Sequence, residues 1–303
     1  MKPVLYAFPD DESFADALAR TCDLEHARLE WRHFPDGESL VTLKGDCADR
    51  DVIVLCSLTQ PDAKTLPLYF LAATARELGA QRVGLVAPYL AYMRQDERFQ
   101  HGQSRSAHLY AKLMSGTFDW LLTVDPHLHR VSSLDQIYSI PARAVSAMPA
   151  VAEWIRANVE TPIIIGPDAE SRQWVEPVAR ATNAPFIVLE KKRHGDRQVE
   201  VSAVDPALVR GRTPVVLDDI VSSGQTFIEV LNNLARAKIN GATCIAVHAL
   251  LARDTLAALL HAGARRIVST NTVPHETNTI DVVPLVAAAL NEMLRTATVN
   301  SKS

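Results

Sequence analysis

Short apolar runs, of strand length, alternate along the chain with longer segments whose apolar positions recur at helical spacing. Residues 4–8 read as a strand and 11–21 as a helix. Residues 27–33 alternate like a strand, stop at Phe34-Pro35-Asp36-Gly37-Glu38 and resume over 40–43. Residues 52–58 form a buried strand, 65–78 an apolar helix, and 83–87 a strand that opens into a long polar segment, 89–106. A helix over 107–114 and a strand over 121–124 lead to Asp125-Pro126-His127. The alternation then restarts: helix 151–158, strand 163–165, helix 171–181, strand 186–189, and strands 199–204 and 215–217 about a turn at 209–213. A helix follows, then segments 244–250, 255–262 and 266–269, and a final helix near 285–294.

Strands that alternate with helices predict an α/β fold, with mostly parallel sheets flanked by helices on both faces. A length of 303 residues predicts two domains. Residues 139–149 carry prolines and little periodicity, which divides the chain into 1–146 and 147–303, the final helix being free to pack back on the first domain. The two halves look alike in architecture but show no convincing residue-level repeat.

Composition narrows the function classes. Hydrophobic residues at 48% fill two cores, and a net charge of −4 argues against a general polyanion-binding surface, so no nucleic-acid partner is expected. Any phosphate binding must come from local clusters. Cys22, Cys47, Cys56 and Cys244 have no C-x-x-C spacing and read as reduced thiols of a cytoplasmic protein. The N-terminus turns acidic within a few residues, unlike a signal peptide, and no apolar run approaches membrane-spanning length.

The most informative stretch is 215–226, VVLDDIVSSGQT. An apolar strand ends in Asp218 and Asp219, and Ser222, Ser223, Gly224, Gln225 and Thr226 lead into an amphipathic helix. Backbone N–H groups at a helix N-terminus attract phosphate, and the hydroxyls add donors. The acids suit sugar hydroxyls or a metal, so a sugar phosphate fits. The ordinary alternative is a serine N-cap. A Walker A loop and a G-x-G fingerprint are both absent. The loop resembles that of phosphoribosyltransferases, which binds phosphoribosyl diphosphate (PRPP).

Four further segments could carry chemistry. In the turn 34–38, Phe34 could stack on a nucleobase while Asp36 and Glu38 accept from an exocyclic amine; a plain hairpin with Gly37 at positive φ is the alternative. Segment 89–106 sets Arg94, Arg98 and Arg105 beside Gln95 and Asp96, directly after a strand's carboxyl end, where arginine forks suit polyphosphate oxygens. Asp125-x-His127 puts a carboxylate and an imidazole on one side of an extended segment, able to hold Mg²⁺ directly or through water. With His129 on the same face a zinc site can be drawn, but no fourth ligand lies at zinc-site spacing. The basic run 191–197 reads either as a solvated hairpin tip or as a loop that closes over a polyphosphate.

In this order (FPDGE, RQD, D-x-H, PDA, K-x-R, DDI-x-S-S-G-x-T) the motifs resemble those of the ribose-phosphate diphosphokinases, or PRPP synthetases, over nearly the whole chain. The resemblance implies two phosphoribosyltransferase-like domains and synthesis of PRPP from ATP and ribose 5-phosphate with Mg²⁺, in a homo-oligomer. It implies that Phe34, Asp36 and Glu38 hold adenine from a neighbouring subunit and that Arg94 and Gln95 contact ATP. Asp125 and His127 would serve a Mg²⁺ site, Asp168 a second metal or the ribose hydroxyls, and Lys191 and Arg193 would be the catalytic pair. Asp218, Asp219 and residues 222–226 would bind ribose 5-phosphate. Ser222 stands where many members have an acid, Gln225 where many have glycine, and Glu170-Ser171 where many have two glycines. Ser222 and the continuation ERFQHGQ after RQD resemble the archaeal-type branch. Three rival functions stand beside it: a phosphoribosyltransferase that consumes PRPP, a non-catalytic regulator on the same scaffold, and a sugar-phosphate binding protein without chemistry.

Overall fold

The computed structural model describes residues 1–194, 198–201, 204–252 and 254–300. In chain order the first elements are β1 (Val4–Ala7), α1 (Glu12–Cys22), β2 (Glu25–Ala27), β3 (Leu29–His33), β4 (Ser39–Leu43), β5 (Asp51–Leu55), α2 (Pro61–Glu77), β6 (Arg82–Ala87), α3 (Ser106–Thr117), β7 (Trp120–Val124) and β8 (Ala142–Val145). Next come α4 (Met148–Asn158), β9 (Pro162–Gly166), α5 (Arg172–Thr182), β10 (Phe186–Val188), β11 (Lys191–His194), β12 (Gln198–Val201), α6 (Pro206–Val209) and β13 (Thr213–Val221). The last are α7 (Gln225–Arg236), β14 (Ala242–Ala249), α8 (Thr255–His261), β15 (Ala264–Thr270), β16 (Asn278–Ile280) and α9 (Val283–Asn300).

The chain divides into two compact units, one of residues 1–146 with 283–303, the other of residues 147–282. Unit 1 is built on a parallel sheet ordered β2-β1-β5-β6-β7-β8. Unit 2 repeats that plan as β10-β9-β13-β14-β15-β16, again parallel throughout. Helices cover the sheet faces, so central strands are continuously apolar rather than alternating: Val52, Ile53, Val54 and Leu55 are all buried, as are Val215, Val216 and Leu217. One face of α2 buries Leu68, Leu71, Ala72 and Ala75 in the first core, and α7 buries Phe227, Val230, Leu231 and Leu234 in the second. Each such leucine contributes about 1.5–3 kcal/mol. The antiparallel ribbons β3–β4 and β11–β12 stand apart from the main sheets.

Three details differ from the sequence expectation. The apparent strand 27–33 is two strands in different sheets: β2 joins the main sheet and β3 starts the ribbon. Residues 139–149, read as the boundary stretch with little periodicity, contain β8, which pairs with β7 through Leu121–Ala142 to Val124–Val145. The strand expected to stop at the acidic pair runs on to Val221, held by Asp218–Ala246, Ile220–His248 and Val221–Ala249 pairing with β14.

Candidate active site

In unit 2 the chain passes from β9 outward to β10 on one side, then returns to β13 and β14 on the other. The order therefore reverses between β9 and β13, and the crevice at their carboxyl ends is where open α/β sheets bind ligands. Both predicted sugar-side segments lie there. Asp168, just past β9, caps the short 3-10 turn Ala169–Ser171: its Oδ1 accepts from the Ser171 N–H at 3.2 Å, while Ser171 Oγ donates to its carbonyl oxygen at 2.5 Å. Asp218 and Asp219 are successive strand residues and so point to opposite faces. Asp219 is buried and accepts from the Ile220 N–H at 2.7 Å; the half-buried Asp218 accepts from the Asp219 N–H at 3.1 Å. Of the pair, Asp218 is the more exposed carboxylate and Asp219 the more buried one.

Beyond Val221 the backbone turns through Ser222 and Ser223, both exposed, to Gly224, which starts α7 at φ +71°. A Cβ on Gly224 would lie 2.6 Å from Thr255 Cγ2, so glycine is needed for both the backbone angle and the close approach. The Thr255 hydroxyl donates to the Ser222 carbonyl at 3.3 Å and fixes the loop from behind. The exposed hydroxyls and Gln225 lie beside the opening N–H groups of α7, donors of the kind that take phosphate.

Unit 1 has the equivalent switch point between β1 and β5, and superposing the two strand orders uncovers a short repeat that periodicity alone did not show. Pro9-Asp10-Asp11-Glu12-Ser13 after β1 matches Pro167-Asp168-Ala169-Glu170-Ser171 after β9. Here, however, the chain fills the crevice itself. The Ser57 N–H donates to buried Asp11 at 2.8 Å, and buried Lys64 Nζ donates to the Ser57 carbonyl at 2.8 Å and to Thr59 Oγ1 at 3.3 Å, with Asp10 3.6 Å away. Burial pushes Asp11 up to about 6, against the opposing pull of the Ser57 N–H and Lys64. Sequence reasoning missed this network because Asp11 and Lys64 are far apart in the chain and match no ligand spacing.

The ATP-side residues predicted in unit 1 lie on the ribbon and at the carboxyl edge of its sheet. Phe34 to Glu38 form the β3–β4 turn: the Phe34 N–H donates to the Glu38 carbonyl at 2.8 Å, and the Glu38 N–H to Asp36 at 3.2 Å. Gly37 has φ +91°, as the turn reading requires, and Phe34 is 39% exposed with the Arg32 guanidinium 4.4 Å from its ring centroid. Segments 88–105 and 125–133 leave the adjacent parallel strands β6 and β7 at the same edge, carrying exposed Arg94 and Gln95 and half-buried Asp125 and His127. Lys191 and Arg193 lie on β11, with side chains outside what the structure describes; residues 195–197 lie outside the described residues altogether. Among the described residues, no three His, Cys, Asp or Glu side chains gather into a metal-binding group, and no helix is long and apolar enough to cross a membrane.

Two parallel sheets, each with a strand-order reversal, define an α/β protein built from two domains of like topology. Sequence comparison is more specific. Residues 4–117 match the model of the N-terminal domain of ribose phosphate pyrophosphokinase, and 133–283 match the phosphoribosyl transferase domain. The ribose-phosphate pyrophosphokinase of Methanopyrus kandleri is 34% identical over 91% of this chain and 94% of the relative. That of Halobacterium salinarum is 32% identical over 95% of this chain and the relative's full length. Phosphoribosylpyrophosphate synthetase from Mycobacterium smegmatis shares the fold at a TM-score of 0.86 and 22% identity, covering 98% of this chain and 100% of that one. The chain belongs to the ribose-phosphate pyrophosphokinase family.

Proposed function

We propose that this enzyme transfers the β,γ-diphosphoryl group of ATP to the C1 hydroxyl of ribose 5-phosphate, giving PRPP and AMP. The observation that supports it best is the contrast between the two switch points. Unit 2 presents exposed hydroxyls and helix N–H groups beside Asp218, whereas the counterpart in unit 1 is filled by Lys64. Among the described residues, one such set of donors fits a reaction that takes one ribose 5-phosphate.

Ribose 5-phosphate would anchor its phosphate on residues 222–226 and its ring hydroxyls on Asp218 and Asp219. Arg94 and Gln95 would hold the ATP polyphosphate, with adenine between Phe34 and the carboxylates of Asp36 and Glu38 of a neighbouring subunit. The transfer itself is mainly positioning and charge neutralisation, and Lys191 and Arg193 would meet the charge that develops on the transferring group. Asp125 and His127 would hold one Mg²⁺, and Asp168 a second metal or the ribose hydroxyls; Mg²⁺ keeps several waters and takes one or two carboxylates together with substrate phosphates. When bound, Mg²⁺ supplies neutralising charge to the polyphosphate. Reduced cysteines, here free and mostly buried, and the net charge fit a cytoplasmic enzyme with small-molecule substrates.

AMP release from ATP tests the reading. It should require ribose 5-phosphate and Mg²⁺ together. Folded protein that releases no AMP, or releases it without ribose 5-phosphate, contradicts the proposal.

A further inference from the structure

The segment carrying Arg94 and Gln95 is anchored on both sides. Before them, the Tyr92 hydroxyl donates to Asp62, the Tyr92 ring packs 4.7 Å from that of Tyr110, and Met93 is buried. Tyr92 itself has φ +64°, and the Gln95 N–H closes a turn onto its carbonyl at 2.9 Å. After them comes Asp96, only 6% exposed although charged and in a polar loop. Its carboxylate accepts from the Arg130 guanidinium at 3.0 Å and from the Arg130 backbone N–H at 3.3 Å. The second guanidinium nitrogen reaches Glu97 at 2.8 Å, and the guanidinium carbon lies 5.6 Å from the Phe99 ring centroid.

Arg130 follows shortly after Asp125 and His127 on the segment that leaves β7. The Asp96–Arg130 clip thus ties together two chain segments that leave neighbouring strands. One carries the residues read as ATP contacts, the other those read as serving the metal. One guanidinium nitrogen and the backbone N–H of Arg130 take the two oxygens of the buried carboxylate, which sets distance and angle together, as a single ammonium contact does not.

We infer that Arg130 is a positioning residue for the nucleotide: through Asp96 it holds Arg94 and Gln95 in register with Asp125 and His127, so that one polyphosphate meets both sets. The inference rests on the proposed ATP-dependent reaction. Arg130 touches no reacting atom in this scheme and acts only through Asp96.

The test is steady-state kinetics on the full-length enzyme with Arg130→Ala, Arg130→Lys, Asp96→Asn and the double variant Asp96→Asn/Arg130→Ala. Arg130→Ala should raise the KM for ATP about tenfold while the KM for ribose 5-phosphate stays within about twofold, because only one substrate's contacts lose their frame. Arg130→Lys should fall between wild type and Arg130→Ala. The double variant should be no worse than the poorer single variant, as expected for groups acting through one contact. Equal rises in both KM values, no rise for ATP, or additive losses in the double variant would overturn the inference. Calorimetric binding of a non-hydrolysable ATP analogue, in the presence of Mg²⁺, keeps this test separate from the activity. If wild-type protein binds the analogue but forms no AMP, the proposed reaction fails, while weaker binding by Arg130→Ala still supports the clip and unchanged binding still overturns it.

Discussion

Gly224 and Thr255 meet where β13 gives way to α7: a Cβ at 224 would sit 2.6 Å from Thr255 Cγ2, and the backbone there has φ +71°. The contact links the donor loop to the start of α8, so loop shape depends on the absence of one methyl group. Gly224→Ala should destabilise the protein by about 1–3 kcal/mol through overpacking and left-handed strain. It should also weaken ribose 5-phosphate more than ATP. Thermal unfolding with and without ribose 5-phosphate checks both; unchanged unfolding temperature and unchanged ligand stabilisation contradict them.

The two substrate sides should separate by mutation. Asp219→Asn should raise the KM for ribose 5-phosphate more than that for ATP, and Arg94→Ala should do the reverse. KM values with each substrate varied in turn decide the matter. Equal effects would mean that the two pockets are wrongly assigned.

Asp11 gives a pH signature. Its folded-state value, about 6, lies above the ordinary 3.8, so the folded protein holds this proton where the unfolded chain has lost it. That contribution to stability is complete below 3.8 and is lost as pH rises through about 6. Asp11→Asn removes the titration but keeps an oxygen able to accept from the Ser57 N–H. The variant's stability relative to wild type should therefore rise by about 1–3 kcal/mol between pH 4 and pH 7. Denaturant melts of both proteins across that range measure it, and a difference independent of pH contradicts it.

How much could be read in advance follows from what each signal depends on. The alternation of strands and helices is local, and it was enough to anticipate parallel sheets flanked by helices. The end of β13 was misplaced because Asp218 and Asp219 look like a strand terminus; pairing with Ala246 and His248, distant in sequence, carries the strand onward. The split between β2 and β3 was hidden in an unbroken alternating run, since periodicity cannot say which sheet a strand joins. The motif segments were legible as residue types after strand ends, but the Asp96–Arg130 pair and the plugging of unit 1 by Lys64 depend on contacts between separate segments. The PDDES and PDAES match became visible only when the two strand orders could be laid side by side.

If the turn at Phe34 serves a neighbouring subunit, inactive proteins should complement one another. Lys191→Ala should lose about two to three orders of magnitude in kcat, the scale for removing one transition-state charge partner. Asp36→Ala/Glu38→Ala should be nearly inactive for lack of adenine binding. In a randomly exchanged equal mixture of dimers, half are mixed and half of their sites are free of defects, so about a quarter of wild-type activity should return. Exchange confirmed by mass without recovery would place the adenine pocket within one chain.

The central claim is diphosphoryl transfer, and ³¹P NMR of a reaction containing enzyme, Mg²⁺, ATP and ribose 5-phosphate tests it most directly. AMP should appear in step with a new diphosphate ester on the sugar, with the sugar 5-phosphate retained. Formation of ADP with a sugar bisphosphate would show transfer of a single phosphoryl group from the γ-position and contradict the account, as would ATP left unchanged by folded protein.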